Sequence, residues 1–209
     1  MLQNAQATNN VTLTGKISSD FEYGHHVFDI HFYNFTLSVP RLSGALDKIP
    51  ITSPQQLISS NNLKPGDTVY ITGQFRSYNN YSGMGNKLIL FVFAKTIDLP
   101  EKQLADNEYL NEVLLSGYVC KTPIHRTTPF GREITDLLIA VNRAYNKSDY
   151  IPCITWGKNA NLSSKLEIGN KVDITGRIQS REYQKKINEN EHKTKTAFEV
   201  SISKISFIS

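Results

Sequence analysis

The chain is 209 residues long. It has no apolar run approaching the roughly 18 residues of a membrane-spanning helix, and its N-terminus, MLQNAQATNN, lacks the basic start and apolar stretch of a secretory signal. Its two cysteines, Cys120 and Cys153, have neither the spacing nor the partners of a metal site, so a reduced, cytoplasmic setting without metal or cofactor is expected. The formal net charge of +4 permits a polyanionic partner, and the excess lies in the second half, with 15 basic and 12 acidic side chains against 8 and 7 in residues 1–105.

In chain order, Val11 to Ile17 (VTLTGKI) reads as a strand interrupted by Gly15, as happens where a strand bends at a barrel corner. A loop, SDFEYGHHVFD, separates it from a second strand, YNFTLSVPR (Tyr33 to Arg41). The third strand includes KIPI (Lys48 to Ile51). Ser53-Pro54 then offers an N-cap and a first-turn proline to a short helix, QQLISS. LKPGDTVYITGQFRS (Leu63 to Ser77) supplies the fourth strand, and SGMGNK (Ser82 to Lys87) a glycine-rich hairpin turn before the fifth. The polar segment from Asp98 to Asn107 reads as a linker.

The series then recurs. VLLSGYV (Val113 to Val119) answers VTLTGKI at an offset of 102, again with a glycine, Gly117, in the strand. TDLLIAVNR (Thr135 to Arg143) and YIPC (Tyr150 to Cys153) follow in order. Asn159 to Leu166 fills the helix slot. LEIGNKVDITGRIQS (Leu166 to Ser180) repeats the Ile-Thr-Gly strand at an offset of 103. In that strand Val172, Ile174 and Ile178 alternate with polar residues, and Phe198, Val200 and Ile202 alternate in the last one. A period this long means a duplicated domain and not a solenoid. Five short strands with a helix between the third and fourth predict an all-β protein of two tandem OB-fold barrels, spanning 1–100 and 108–209.

AYNKSDYIPCITWGK (Ala144 to Lys158) holds the only tryptophan. Tyr150 and Trp156 are an even number of residues apart in a strand, so they share one face of the sheet, either a core wall or a platform for flat ligands. Several nearby segments resemble the bacterial single-stranded DNA-binding protein family. HRTTPFGRE (His125 to Glu133) is similar to the family's arginine-x-threonine-proline-x-glycine turn. IAVNR (Ile139 to Arg143), WGKNA (Trp156 to Ala160) and GRIQSREY (Gly176 to Tyr183) resemble later elements, in order, over about 95 residues. The family grips DNA with four aromatics, and the resemblance implies Tyr145, Tyr150, Trp156 and Tyr183 for these roles. Rings stack on unpaired bases at roughly 1–3 kcal/mol per base. Arg126, Arg132, Arg143, Lys147, Lys158, Arg177, Arg181, Lys185 and Lys186 lie in or beside these segments as candidate phosphate contacts.

The resemblance implies a protein that binds single-stranded DNA in replication, repair or recombination, with little sequence preference. It also implies a homodimer, which would bring four barrels together. No nucleophile–base pair, paired carboxylates or metal cluster points to an enzyme, and no membrane or small-molecule partner is expected. His25-His26 reads as part of a solvated loop, and Arg181 to Lys195 as a charged hairpin whose tip either wraps nucleic acid or stays free. The family's acidic tail has no counterpart in the final SISKISFIS, so recruitment of enzymes by that route is not expected. In the first unit Ser43 and Lys48 stand where Tyr145 and Tyr150 do, and the Tyr183 slot falls on Asn80. Either this barrel holds a strand differently, through Tyr78, Tyr81 and Arg76, or it is a structural and assembly module, which is the expectation. Two other functions fit the pattern: an assembly protein of the replisome or primosome type, and an RNA-binding module.

Overall fold

In the N-terminal unit, β1 (Asn9–Ile17), β2 (Glu22–Val27), β3 (Ile30–Pro40) and β4 (Leu46–Pro54) precede helix α1 (Gln55–Ser60), and β5 (Thr68–Asn80) and β6 (Lys87–Asp98) follow it. The C-terminal unit repeats the order with β7 (Asn111–Val119), β8 (Ile124–Thr127), β9 (Glu133–Arg143), β10 (Lys147–Trp156), α2 (Lys158–Ser163), β11 (Lys171–Lys186) and β12 (His192–Phe207). These elements come from a computed structural model that describes residues 8–81, 87–102, 104–105, 108–186 and 192–207. Residues 82–86 of the SGMGNK turn and the tip of the β11–β12 hairpin (187–191) lie outside the described residues, as do 103, 106 and 107 of the linker.

Each unit closes into a five-stranded barrel because its first strand pairs on both sides. β1 pairs with β5 along its length and with β3 at Lys16 and Ile17; β7 does the same with β11 and β9. β4 runs parallel to β6, and β10 to β12. The glycines of the first strands sit at the closures, where the chains cross closely. A Cβ on Gly15 would lie 2.6 Å from the Ser38 carbonyl oxygen, and one on Gly117 2.6 Å from that of Ala140. The repeated Ile-Thr-Gly makes a β-bulge in each barrel, at Thr72/Gly73 and Thr175/Gly176, which sharpens the curvature.

Alternation decides which side chains fill the barrels. Leu13, Leu37, Ile49, Ile51, Ile71, Phe75 and Val92 are buried in the first; Val113, Ile139, Ile151, Cys153, Ile178 and Val200 in the second. Burying a Val, Leu, Ile or Phe side chain contributes about 1.5–3 kcal/mol. Two local expectations are revised. The segments read as loops after β1 and β7 each contribute a short strand, β2 and β8, paired to β3 and β9 outside the barrel proper. Pro54 itself occupies the N-cap position of helix α1, with no side-chain capping bond; the buried Ser53 donates its hydroxyl to the Pro54 carbonyl oxygen at 3.1 Å and so caps nothing.

The barrels join edge to edge into one twelve-stranded sheet through antiparallel β1 and β7. Val11 faces Val113, its own counterpart at the 102-residue offset, while Asn9 faces Leu115 and Leu13 faces Asn111. A pseudo-twofold axis therefore passes through the valine pair, as at an isologous dimer interface. The same symmetry repeats in the polar contacts. Asn9 donates to the Phe75 carbonyl at 2.7 Å and accepts from the Phe75 N–H at 2.9 Å; Asn111 does so with Ile178 at 2.8 and 2.9 Å. Across the junction, the buried Asp47 accepts the Ser180 N–H at 2.6 Å, while the buried Asp149 accepts the Ser77 N–H at 2.8 Å. Each aspartate is paired with an arginine of its own barrel, Arg41 or Arg143. These contacts fix how one barrel stands against the other.

Candidate nucleic-acid interface

Strand β10 answers whether Tyr150 and Trp156 wall a core. Ile151, Cys153 and Thr155 point inward and are buried, whereas Tyr150 is 41% and Trp156 38% exposed. Six residues of strand place the two rings about 20 Å apart along one outer face. Tyr150 stands opposite Ala140 on β9, and Ala140 stands opposite Tyr118 on β7, so two tyrosines flank a small residue in one row. Tyr118 is 41% exposed. The sequence reading missed it, although it lies beside Gly117 at an alternation position of β7 that faces outward.

Tyr145 lies in the β9–β10 turn, 94% exposed, and both it and Asn146 have left-handed backbone (φ 61° and 53°). Tyr183 is on the part of β11 that pairs with β12 opposite Lys195, and is 39% exposed. All four aromatics named from the sequence are therefore accessible. Tyr183 also lines a groove of about 1210 Å³ that runs between the barrels and reaches Pro152 on β10, between Tyr150 and Trp156.

The nine candidate cations divide. Arg126 faces Ile134, which faces Trp156, placing it two strand spacings, about 10 Å, from the tryptophan on the same face. Its guanidinium is held by Asp136 at 2.8 and 3.3 Å, and this bond raises its pKa further. Arg143 is engaged with Asp149 at 3.3 Å at the barrel junction. Burial pushes the Asp149 carboxyl up from the usual range, opposed by the Ser77 N–H and by Arg143 and Arg76. Arg132, Lys147, Lys158 and Arg181 are exposed, and Arg177 is half-buried. Arg132 sits in the turn before β9, where its backbone N–H donates to the Thr128 hydroxyl at 3.0 Å. Lys158 opens α2 directly after Trp156 and Gly157. Lys185 and Lys186 lie on β11, but their side chains are outside the described residues.

The N-terminal barrel is built differently on its outer face. Its β4 carries Lys48, Pro50 and Thr52 where β10 carries Tyr150, Pro152 and Ile154. Its rings are on β6 instead: Phe91 and Phe93 project outward, while Leu90, Val92 and Ala94 fill the core. Through their pairing with β5, these positions correspond to Glu199 and Ser201 on β12. The legible signal was LILFVFA, apolar on both alternations in a strand that has one wet face. Among the described residues, no cluster of three or more His, Cys, Asp or Glu could hold a metal ion.

Residues 110–208 match the model of the single-strand binding protein family. Among curated relatives, the single-stranded DNA-binding protein 1 of Staphylococcus aureus is 35% identical over 82 residues, covering 36% of this chain and 49% of that protein. The single-stranded DNA-binding protein of Clostridium tetani is 36% identical over 84 residues, covering 37% and 58%. The chain thus spans about half the length of the curated relatives it matches. In fold, it is similar to the wild-type single-stranded DNA-binding protein of Thermus aquaticus, with a TM-score of 0.74 at 18% identity over 96% of this chain and 93% of that one.

Proposed function

We propose that this chain, whose residues 110–208 match the single-strand binding protein family, binds single-stranded DNA by stacking without strong sequence preference. The observation that carries this reading is the outward display of Tyr150 and Trp156 on a strand whose inward-pointing Ile151, Cys153 and Thr155 are buried. A core use of these rings would have closed them from solvent. Bases of any sequence present flat apolar faces, so a row of rings binds them without reading their edges.

Tyr145, in the β9–β10 turn, and Tyr183, which the β10–β12 and β11–β12 registers set level with the start of β10, extend the track at the Tyr150 end. Lys147, Lys158, Arg132 and Arg181 then supply mobile charge for the phosphates. Arg126 and Arg143 contribute less, because each is already opposed by a carboxylate. Two chains would bring four barrels together, and we take this homodimer, acting in the cytoplasm in replication or repair, as the working assembly.

The test is Trp156→Ala, assayed with a labelled oligo-dT by anisotropy. Affinity falls by about 1–3 kcal/mol while the melting temperature stays near that of the parent. Unchanged affinity, or a collapse of the fold, contradicts the stacking role.

A further inference from the structure

We propose that the N-terminal barrel carries a second nucleobase-stacking site, of its own composition, in the groove between the barrels. The inference rests on the reading of the chain as a single-strand binder, and it names a site that the C-terminal resemblance does not supply.

Rings from four strands meet on this face. His25 on β2 stacks on Phe32 of β3 at 4.9 Å with an interplanar angle of 11°. Phe32 approaches Phe93 of β6 at 5.8 Å, and the Arg76 guanidinium lies over the Phe93 ring at 4.1 Å. Tyr78, 52% exposed, meets Phe91 edge-on at 6.0 Å. Phe91, Phe93, Tyr78, His25 and Arg76 all line the groove. Beside them Thr52 donates to the Asn34 side-chain oxygen at 2.7 Å, giving a polar edge to an otherwise aromatic floor.

The charge of the groove selects among ligands. Its described lining includes Arg76 and Lys195 and not one carboxylate. An apolar groove made for a protein strand would not need guanidinium stacked on a ring. The half-buried Arg76 is held over the Phe93 ring by donating Nε and Nη2 to the Gln74 side-chain oxygen at 3.2 and 2.7 Å. That pairing suits a polyanion with flat faces, because it fixes a positive charge beside an aromatic surface. The far wall comes from the C-terminal barrel, through Tyr183 and Lys195. A strand leaving Tyr183 therefore enters the second site without recrossing solvent. The two barrels accordingly place their rings on different strands, β10 in one and β6 in the other, and divide one continuous path.

The intact chain is cross-linked by ultraviolet light to an iodouracil-substituted oligo-dT and the adducts are mapped by mass spectrometry. Adducts within residues 74–93 are expected beside those in the C-terminal barrel; adducts confined to residues 108–207 overturn the proposal. In parallel, the double substitution Tyr78→Ala/Phe91→Ala is compared with the parent. On an oligo-dT of about 32 nucleotides, enough to span several barrels, the variant loses about ten-fold or more in affinity. With an oligomer of about 8 nucleotides, quenching of Trp156 keeps its parental midpoint within two-fold. A folded variant with parental affinity for the long oligomer contradicts the second site. Adducts at Tyr78 or Phe91 without any quenching of Trp156 would instead remove the C-terminal reading and leave this one standing. Binding of a peptide library without DNA adducts on these strands would overturn it in favour of a protein ligand.

Discussion

Tyr145 is a large ring held in solvent on left-handed backbone, a conformation that costs an ordinary residue about 1–2 kcal/mol and that asparagine tolerates well. Neither burial nor conformational preference accounts for a tyrosine there; the proposed contact with a base would. The two effects separate in one variant. Tyr145→Asn should raise the melting temperature slightly while weakening single-stranded DNA binding by about 1 kcal/mol. A variant that is less stable and binds equally well would show the ring to be structural. Asp149 makes the opposite kind of case, a buried charge kept for the junction. Because burial raises its folded pKa above the unfolded value, the folded state holds its proton more tightly. Its contribution to stability is therefore present below the ordinary carboxylate range and is lost as pH rises from about 4 through the raised value. Asp149→Asn removes this dependence. The melting-temperature advantage of the parent over that variant should shrink as pH rises through this window, and an advantage that grows would refute the assignment. Asp47→Ala and Asp149→Ala, which orphan the Ser180 and Ser77 N–H groups, should each cost about 1–3 kcal/mol in denaturant unfolding.

At the level of strands, the glycines of β1 and β7 are required by the approach of another chain. Gly117→Ala would push a Cβ against the Ala140 carbonyl and the Ile139 side chain, at 2.6 and 2.8 Å. We expect a loss of about 1–3 kcal/mol in urea unfolding, with the barrel opening between β7 and β9; wild-type stability would mean that the closure yields at no cost. Much of this architecture was legible beforehand. The offsets of 102 and 103, the alternation in β11 and the interrupting glycines all follow from periodicity, which depends on neighbours in the chain. The faces of Tyr150 and Trp156 were readable for the same reason. Three features were not. The flanking strands β2 and β8 sit in polar segments with little alternation. The aspartate clamps join residues about 70 and 130 positions apart, and nothing local announces such a pair. Tyr78 and Arg76 of the first barrel were named from the sequence, but Phe91 and Phe93 escaped because rings were sought at the β10 positions, where β4 has Lys48 and prolines, whereas these two stand on β6.

The whole molecule is a pseudo-dimer written into one chain. Its halves meet around Val11 and Val113 with the same strand and the same amide and carboxylate contacts used twice. Covalent linkage frees the outer faces of the two barrels to diverge, since neither must serve both halves of a true symmetric dimer. The clamps keep the diverged faces in register across the groove. For the assembled protein, light scattering should give twice the 23.6 kDa chain mass, and a mass of one chain would contradict the homodimer. Binding should also weaken with salt, with a slope of about −0.7 for every phosphate contacted. The most direct measurement of the central claim uses the chain's sole tryptophan as its own reporter. Titrating oligo-dT into the intact protein while following Trp156 emission should give saturable quenching whose midpoint moves to higher DNA concentration as salt is added. Emission that stays unchanged at concentrations where the DNA is demonstrably bound would show that the β10 face is not where bases stack.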